Sequence, residues 1–287
     1  MLGRVAAPGR ERDGGRDGAE MARIRYAKSP DDRARSEGSP AARSDARPLR
    51  VRSIRCVYET DAEAAQAVVP RPLEASVGSE VCVAFSSVET PLSAGVSVEI
   101  RSVRFGVRVV YDDRPGCYLL TMPTTSEQAV LIGRERFGEP RKLARIAFDA
   151  EGDRVSASVE RLGIGFLRVD ADRAEELPPR KETELGYCFK AFPSCEPGGG
   201  FEPDPRLVRL EWQHDDERVW RLDGEIALYE SAFDPVADLP VRRVVELELT
   251  EGTLRSSARI LRPVPGEWLL PFVHQRYDDP RIDGMDV

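Results

Sequence analysis

From about residue 50 the chain alternates apolar and polar residues in short runs, the period-two signal of strands with one buried face. Ile54, Cys56 and Tyr58 share one face of a first strand, and Val81, Val83 and Phe85 repeat the alternation. Residues 96–111 carry a longer pattern of the same kind, through Val96, Val98 and Ile100 and then Val103, Phe105, Val107 and Val109. The run Asp112-Asp113-Arg114-Pro115-Gly116 predicts a turn, and Cys117–Met122 the returning strand of a hairpin. Two short helices interrupt the strands. Thr60-Asp61-Ala62-Glu63 reads as a capping box for one that ends before Pro70, and Thr124-Thr125-Ser126-Glu127 starts another that runs to about Phe137, where Gly138 and Pro140 break it. Strands are expected at 142–149 and 155–159, and β-like segments near 164–169, 187–192, 206–212, 219–230, 243–249 and 254–262. Many strands and few helices predict a β-rich α+β fold built on an antiparallel barrel or sandwich.

Residues 1–47 lack this pattern. They are rich in Arg, Asp, Gly, Ser and Pro without clustered apolar residues, so they are expected to form a disordered tail ahead of one domain over 48–287. Met21 offers a second start within it. The tail carries a net charge of +3, which leaves −11 on the rest of a chain whose total is −8. An acidic body argues against nucleic-acid binding, which needs a basic face. No apolar run approaches the roughly 18 residues of a membrane span, so a soluble, cytoplasmic protein is expected. Five cysteines at irregular spacing, without a C-x-x-C pair or a secretory segment, predict free and mostly buried thiols. With only His214 and His274, the chain has little from which to build a zinc site or a Ser-His-Asp triad. His214, in the run 213–217 of polar residues, is expected in a solvated loop.

Lysine is scarce. Of 42 basic residues only Lys28, Lys142, Lys181 and Lys190 are lysines. Arginine replaces lysine wherever a surface charge suffices, but it cannot deprotonate to serve as an amine nucleophile. Lys142 lies in Gly133-Arg134-Glu135-Arg136-Phe137-Gly138-Glu139-Pro140-Arg141-Lys142-Leu143. This segment resembles the acetoacetate decarboxylase family, whose signature is a G-R-E helix end followed by Pro-Lys-Lys-Leu. Two further blocks, in the right order, are similar to the same family: Val57-Tyr58-Glu59-Thr60-Asp61 through Val68-Val69-Pro70-Arg71-Pro72-Leu73-Glu74, and Asp234-Pro235-Val236-Ala237-Asp238-Leu239-Pro240-Val241.

The resemblance implies a β-barrel or cone around a small pocket, a homo-oligomer, a small keto acid or other carboxylate as partner, and no metal or organic cofactor. It also implies a lyase in which the first lysine of the pair forms a Schiff base with a ketone, either in decarboxylation or in aldol and dehydration chemistry. Such an amine must be neutral, a pKa lowering for which this family's lysine is itself the known example. Here Arg141 stands at the first-lysine position and Lys142 at the second. In one arrangement Lys142 takes over as the amine beside Arg141. Strand periodicity gives this some support, since Lys142, Ala144, Ile146 and Phe148 share one face. In the other, Arg141 grips a carboxylate as a fork and no covalent bond forms. Glu99 matches a family glutamate near the reacting carbon and is expected to move a proton or steer the substrate, or else to pair with Arg101 or Arg104 on a solvated face. A second family glutamate falls on Ala84, and the pocket arginine on Val51, flanked by Arg50 and Arg52, so Arg52 is the candidate to hold the substrate there. Lys190 is expected to be a snorkelling strand residue.

Overall fold

The computed structural model describes residues 48–93, 96–196 and 198–278, so the expected tail, 1–47, lies outside the described residues. The strands are β1 (Leu49–Glu59), β2 (Glu74–Ala75), β3 (Glu80–Ser93), β4 (Val96–Tyr111), β5 (Arg114–Thr124), β6 (Arg141–Leu143), β7 (Arg145–Asp149), β8 (Arg154–Arg161), β9 (Ile164–Leu177), β10 (Arg180–Lys190), β11 (Arg206–Leu228) and β12 (Arg243–Pro263). They form one sheet in the order β10-β5-β4-β3-β1-β12-β11-β9-β8-β7, and β10 also pairs with β11. That extra pairing closes seven strands into a ring, which is the expected barrel. Strands β9, β8 and β7 continue past β11.

Alternation places the two faces of the ring in different surroundings. Ile54 and Tyr58 on β1, Phe85 on β3 and Phe105 and Val107 on β4 are buried in one large apolar cluster with Phe148, Val155, Val159 and Phe166 of β7, β8 and β9. The opposite face turns into the ring. It carries a smaller apolar cluster of Cys117, Leu119, Met122, Cys188, Val208, Leu210 and Trp212, together with charged side chains that meet one another across the ring.

The hairpin forms where expected, with Asp112 and Asp113 both at positive φ, as a two-residue turn of matching twist requires. The β-like segments expected apart at 206–212 and 219–230 are one strand, β11, and those at 243–249 and 254–262 are one strand, β12. Bulges between Leu207 and Val208 and between Asp216 and Arg218 let this long pair bend without breaking its ladder. His214 is therefore not in a loop. It lies in β11, 4% exposed, because His214 and Asp216 occupy the inward parity of that strand. The first helix is short, Ala62–Ala67, and no side-chain cap forms at Asp61; its carboxylate instead accepts from Arg242 at 2.8 and 2.7 Å. The cysteines are free, three of them buried.

Candidate functional site

The segment that precedes Arg141 is built stepwise. Helix Glu127–Ile132 is capped by Ser126, whose hydroxyl accepts from the Ala129 N–H, and it passes into a π-helical turn over Gly133–Phe137. Gly138 ends that turn at φ 78°, and a Cβ there would stand 2.4 Å from Lys190 Cα, so only glycine fits. Strand β6 then pairs in parallel with β5, Met122 against Arg141 and Pro123 against Lys142.

Adjacent strand residues point to opposite sides, and the pair divides accordingly. The Arg141 Nε donates to Glu139 Oε2 at 2.5 Å, and the charges of both residues reach Cys188 of the inner cluster. Lys142 points the other way. Its Nζ donates to the Phe233 carbonyl at 2.8 Å, to Asp278 Oδ1 at 3.1 Å and to Asp234 Oδ1 at 3.3 Å. Arg161 donates to the same carboxylates, at 2.7 Å to Asp234 Oδ2 and 2.6 Å to Asp278 Oδ1. Lys142 is 6% exposed and Asp234 2%. Burial pushes the Asp278 carboxyl up, but hydrogen bonds and charge from Arg161 and Lys142 outweigh it and hold the group below the usual carboxylate range. Two carboxylates and a carbonyl thus engage the Lys142 Nζ at hydrogen-bond distance. The cavity beside Lys142, walled by Phe105, Leu120, Thr121 and Leu239, measures about 50 Å³, the room of one or two waters.

A larger cavity, about 220 Å³, lies at the inner wall of the ring and is lined by Arg55, Arg104, Arg108, Glu182, Glu184 and Glu246, with Cys82, Ala84, Cys117 and Leu119 between them. Arg104 lies 4.2 Å over the Trp212 ring and pairs with Glu184 at 2.9 Å. Arg55 reaches His214 Nδ1 at 2.7 Å, Glu182 at 3.1 Å and Asp216 at 3.2 Å. A guanidinium only donates, so His214 accepts at Nδ1 and is neutral, in keeping with a pKa that burial lowers. Burial pushes the Glu184 carboxyl up, yet Arg104, His214 and Arg55 bring it down to about 2. Burial and the charge of Glu248 raise Glu246. One wall thus holds a carboxylate that stays ionised and a carboxyl that retains its proton more readily, the pairing from which acid and base roles are assigned. Three buried donors on its arginines, Arg55 Nε, Arg104 Nη1 and Arg108 Nε, have no hydrogen-bond partner among the described residues, though Arg108 Nε lies 2.8 Å from Glu80.

Of the residues singled out from sequence, Ala84 lines the larger cavity and Val51 is buried. Glu99 is exposed on β4, bonded to Arg101 at 2.9 Å and to Ser87, and these bonds lower its pKa. Arg52 has Glu151 at 4.0 Å. Neither lines either cavity. Lys190 places its ammonium 5.7 Å from the Phe192 ring.

The acetoacetate decarboxylase family profile matches residues 32–261, most of the chain. The chain belongs to that family. Among curated members, the acetoacetate decarboxylase of Acidiphilium cryptum is 29% identical over 197 residues, covering 66% of this chain and 76% of that one. Among solved structures, an acetoacetate decarboxylase superposes with a TM-score of 0.64 at 20% identity, over 75% of this chain and 90% of that one. The enduracididine biosynthesis enzyme MppR, solved with pyruvate, gives 0.62 at 14% identity, over 75% and 91%. Both superpositions establish the shared fold. Sequence reasoning missed the charged residues that line the larger cavity. Their signal was present on β4, where Arg104, Gly106 and Arg108 alternate with Val103, Phe105, Val107 and Val109. In a closed ring the polar half of such an alternation faces inward rather than to solvent.

Proposed function

We propose that this acetoacetate decarboxylase family protein takes a small keto acid or related carboxylate into its ring cavity without forming a lysine Schiff base. The observation that carries this reading is the engagement of Lys142 by Phe233, Asp234 and Asp278, away from the cavity, while arginine occupies the first-lysine position. The unpaired donors of Arg104 and Arg55, one on each guanidinium, suit a carboxylate, whose oxygens accept charge-assisted N–H bonds. Arg141, the anchor expected from sequence, has its Nε on Glu139 and lines neither cavity, so it stands second to them. Chemistry on a ligand held there would run through the Glu246 and Glu184 carboxyls as acid and base.

Incubation with pyruvate or acetoacetate and sodium borohydride, followed by mass mapping of residues 137–150, tests the first half of this reading. The expected result is no adduct; an adduct on Lys142 that disappears in Lys142→Ala restores the lyase reading with Lys142 as the amine. Ligand-induced stabilisation tests the second half, since a ligand at a hundred times its Kd raises stability by about 2.7 kcal/mol. Arg141→Met and the charge-balanced double variant Arg104→Met with Glu184→Gln identify the anchor. An unchanged melting temperature across a panel of keto acids removes the carboxylate-pocket reading.

A further inference from the structure

The ring cavity has a basic side that suits a carboxylate and an acidic side that a carboxylate alone leaves without a partner. On the basic side, Arg55 of β1 is the register partner of Ala84 of β3, and Ala84 that of Arg104 of β4. All three line the cavity, and the small side chain of Ala84 leaves room for a ligand group between the two arginines. Arg55 is 7% exposed and Arg104 9%, and each keeps a buried donor, Nε of Arg55 and Nη1 of Arg104, without a hydrogen-bond partner among the described residues. A buried donor left unpaired costs free energy, and an acceptor on the ligand removes that cost.

On the acidic side, Glu184 is paired with Arg104 at 2.9 Å and Glu182 with Arg55 at 3.1 Å. Of the acidic neighbours outside the lining, Glu80 lies 2.8 Å from Arg108 and Glu248 accepts from Arg180 at 3.2 Å. Glu246 differs from all of these. It lines the cavity, partly buried, and its carboxyl makes neither a hydrogen bond nor an ion pair among the described residues. Burial and the charge of Glu248 raise its pKa, as befits an acid that lacks a cation. The lining itself is balanced, with Arg55, Arg104 and Arg108 against Glu182, Glu184 and Glu246. A ligand that carries only a carboxylate adds a negative charge to that wall, whereas one that also carries a cation keeps the balance. Glu246 stands opposite Val57, two residues along β1 from Arg55, so strand geometry puts the Cα atoms of Arg55 and Glu246 about 8 Å apart. A short carbon chain bridges their side chains.

We infer that the ring cavity selects a two-ended ligand, a keto acid or related carboxylate whose far end carries an ammonium, with the carboxylate between Arg55 and Arg104 and the ammonium on Glu246. The inference rests on the carboxylate reading proposed above and narrows it. Arrival of the ammonium favours the ionised form of Glu246, so the carboxyl gives up its proton on binding. The preference for the cationic ligand therefore grows as pH rises through the range in which Glu246 titrates in the empty cavity. The acid role given to Glu246 above applies to ligands with a neutral far end, which leave its proton in place.

Calorimetric titration of the full chain with pentanoate, 5-aminopentanoate and pentylamine tests the inference, because the three share a chain length and differ only at their ends. The expected result is that 5-aminopentanoate binds about tenfold or more tightly than pentanoate, as one added charge-assisted hydrogen bond gives. Glu246→Gln should bring the ratio of the two affinities to within about twofold, while Glu246→Asp, which keeps the charge, retains part of the preference. Equal affinities for the two acids in the parent, or a preference that survives Glu246→Gln undiminished, overturn the inference and leave the carboxylate reading standing. Pentylamine that binds as tightly as 5-aminopentanoate overturns the two-ended ligand by removing its carboxylate end. A parent that binds neither acid overturns the carboxylate reading and this inference with it.

Discussion

Replacing Lys142 with methionine separates a structural lysine from a catalytic one. The substitution keeps most of the side-chain volume and removes the charge that Asp234, 2% exposed, shares with Arg161. Breaking a buried ion pair by deleting one partner costs about 3–5 kcal/mol. Here the lower end applies, because Arg161 still donates to Asp234 at 2.7 Å, and because Asp278, with its side chain 34% exposed, regains water. The Phe233 carbonyl loses its donor and adds about 1 kcal/mol or more. A loss of about 3–4 kcal/mol in a domain of this size lowers the melting temperature by roughly 6–16 °C at 2–4 °C per kcal/mol. Urea unfolding followed by tryptophan fluorescence measures the loss at constant slope, and calorimetry gives the melting temperature. The surviving folded protein should bind keto acids as the parent does. A variant as stable as the parent that has lost ligand or carbonyl chemistry would refute the reasoning and mark Lys142 as a reacting group.

Three further substitutions test the ring and its lining. Glu184→Gln removes a group whose folded pKa, about 2, lies below its ordinary 4.5. Its stabilisation is therefore complete above pH 4.5 and is lost as pH falls towards 2, so the parent should lose stability more steeply than the variant across that window in acid titrations followed by circular dichroism. Gly106→Ala places a Cβ 2.1 Å from the Tyr118 carbonyl oxygen and 2.7 Å from Cys117 Sγ. Because the first neighbour is backbone, the cost is about 2 kcal/mol or more, read as a lower urea midpoint. Tyr58→Phe deletes a buried hydroxyl that donates to the Leu239 carbonyl at 2.9 Å and should cost about 1–2 kcal/mol; a loss below about 0.3 kcal/mol would mean that this bond does not hold the loop 234–241 to β1.

The strand pattern was legible because the core face obeys it: Ile54, Cys56, Tyr58, Val81, Val83 and Phe85 are all buried as the alternation required. What period two leaves open is whether the polar face meets water or the inside of a closed ring. His214 and Arg104 look like surface residues in sequence and are buried because the sheet closes on that side. The same ambiguity governed Arg141 and Lys142. Sequence identified both, but which faces the ring depends on the parallel pairing of β6 with β5, a long-range contact that no local pattern contains. Glu99 was placed by its match to the family, while its exposure and its bond to Arg101 belong to the solvated alternative weighed beside it.

The ring is closed unevenly. Strand β10 pairs with β11 along its whole length, from Arg180 to Lys190, but with β5 at only two positions, Gly186 with Cys117 and Tyr187 with Tyr118. Both flanks of that short join, Pro115–Leu119 on β5 and Glu182–Leu185 on β10, line the ring cavity. With so few bonds to break, this join opens at lower free energy than any other around the ring. On the carboxylate reading proposed above, the wall of the pocket would then also be its doorway, and residue choice along that join would set the rate of exchange without altering the groups proposed to hold the acid.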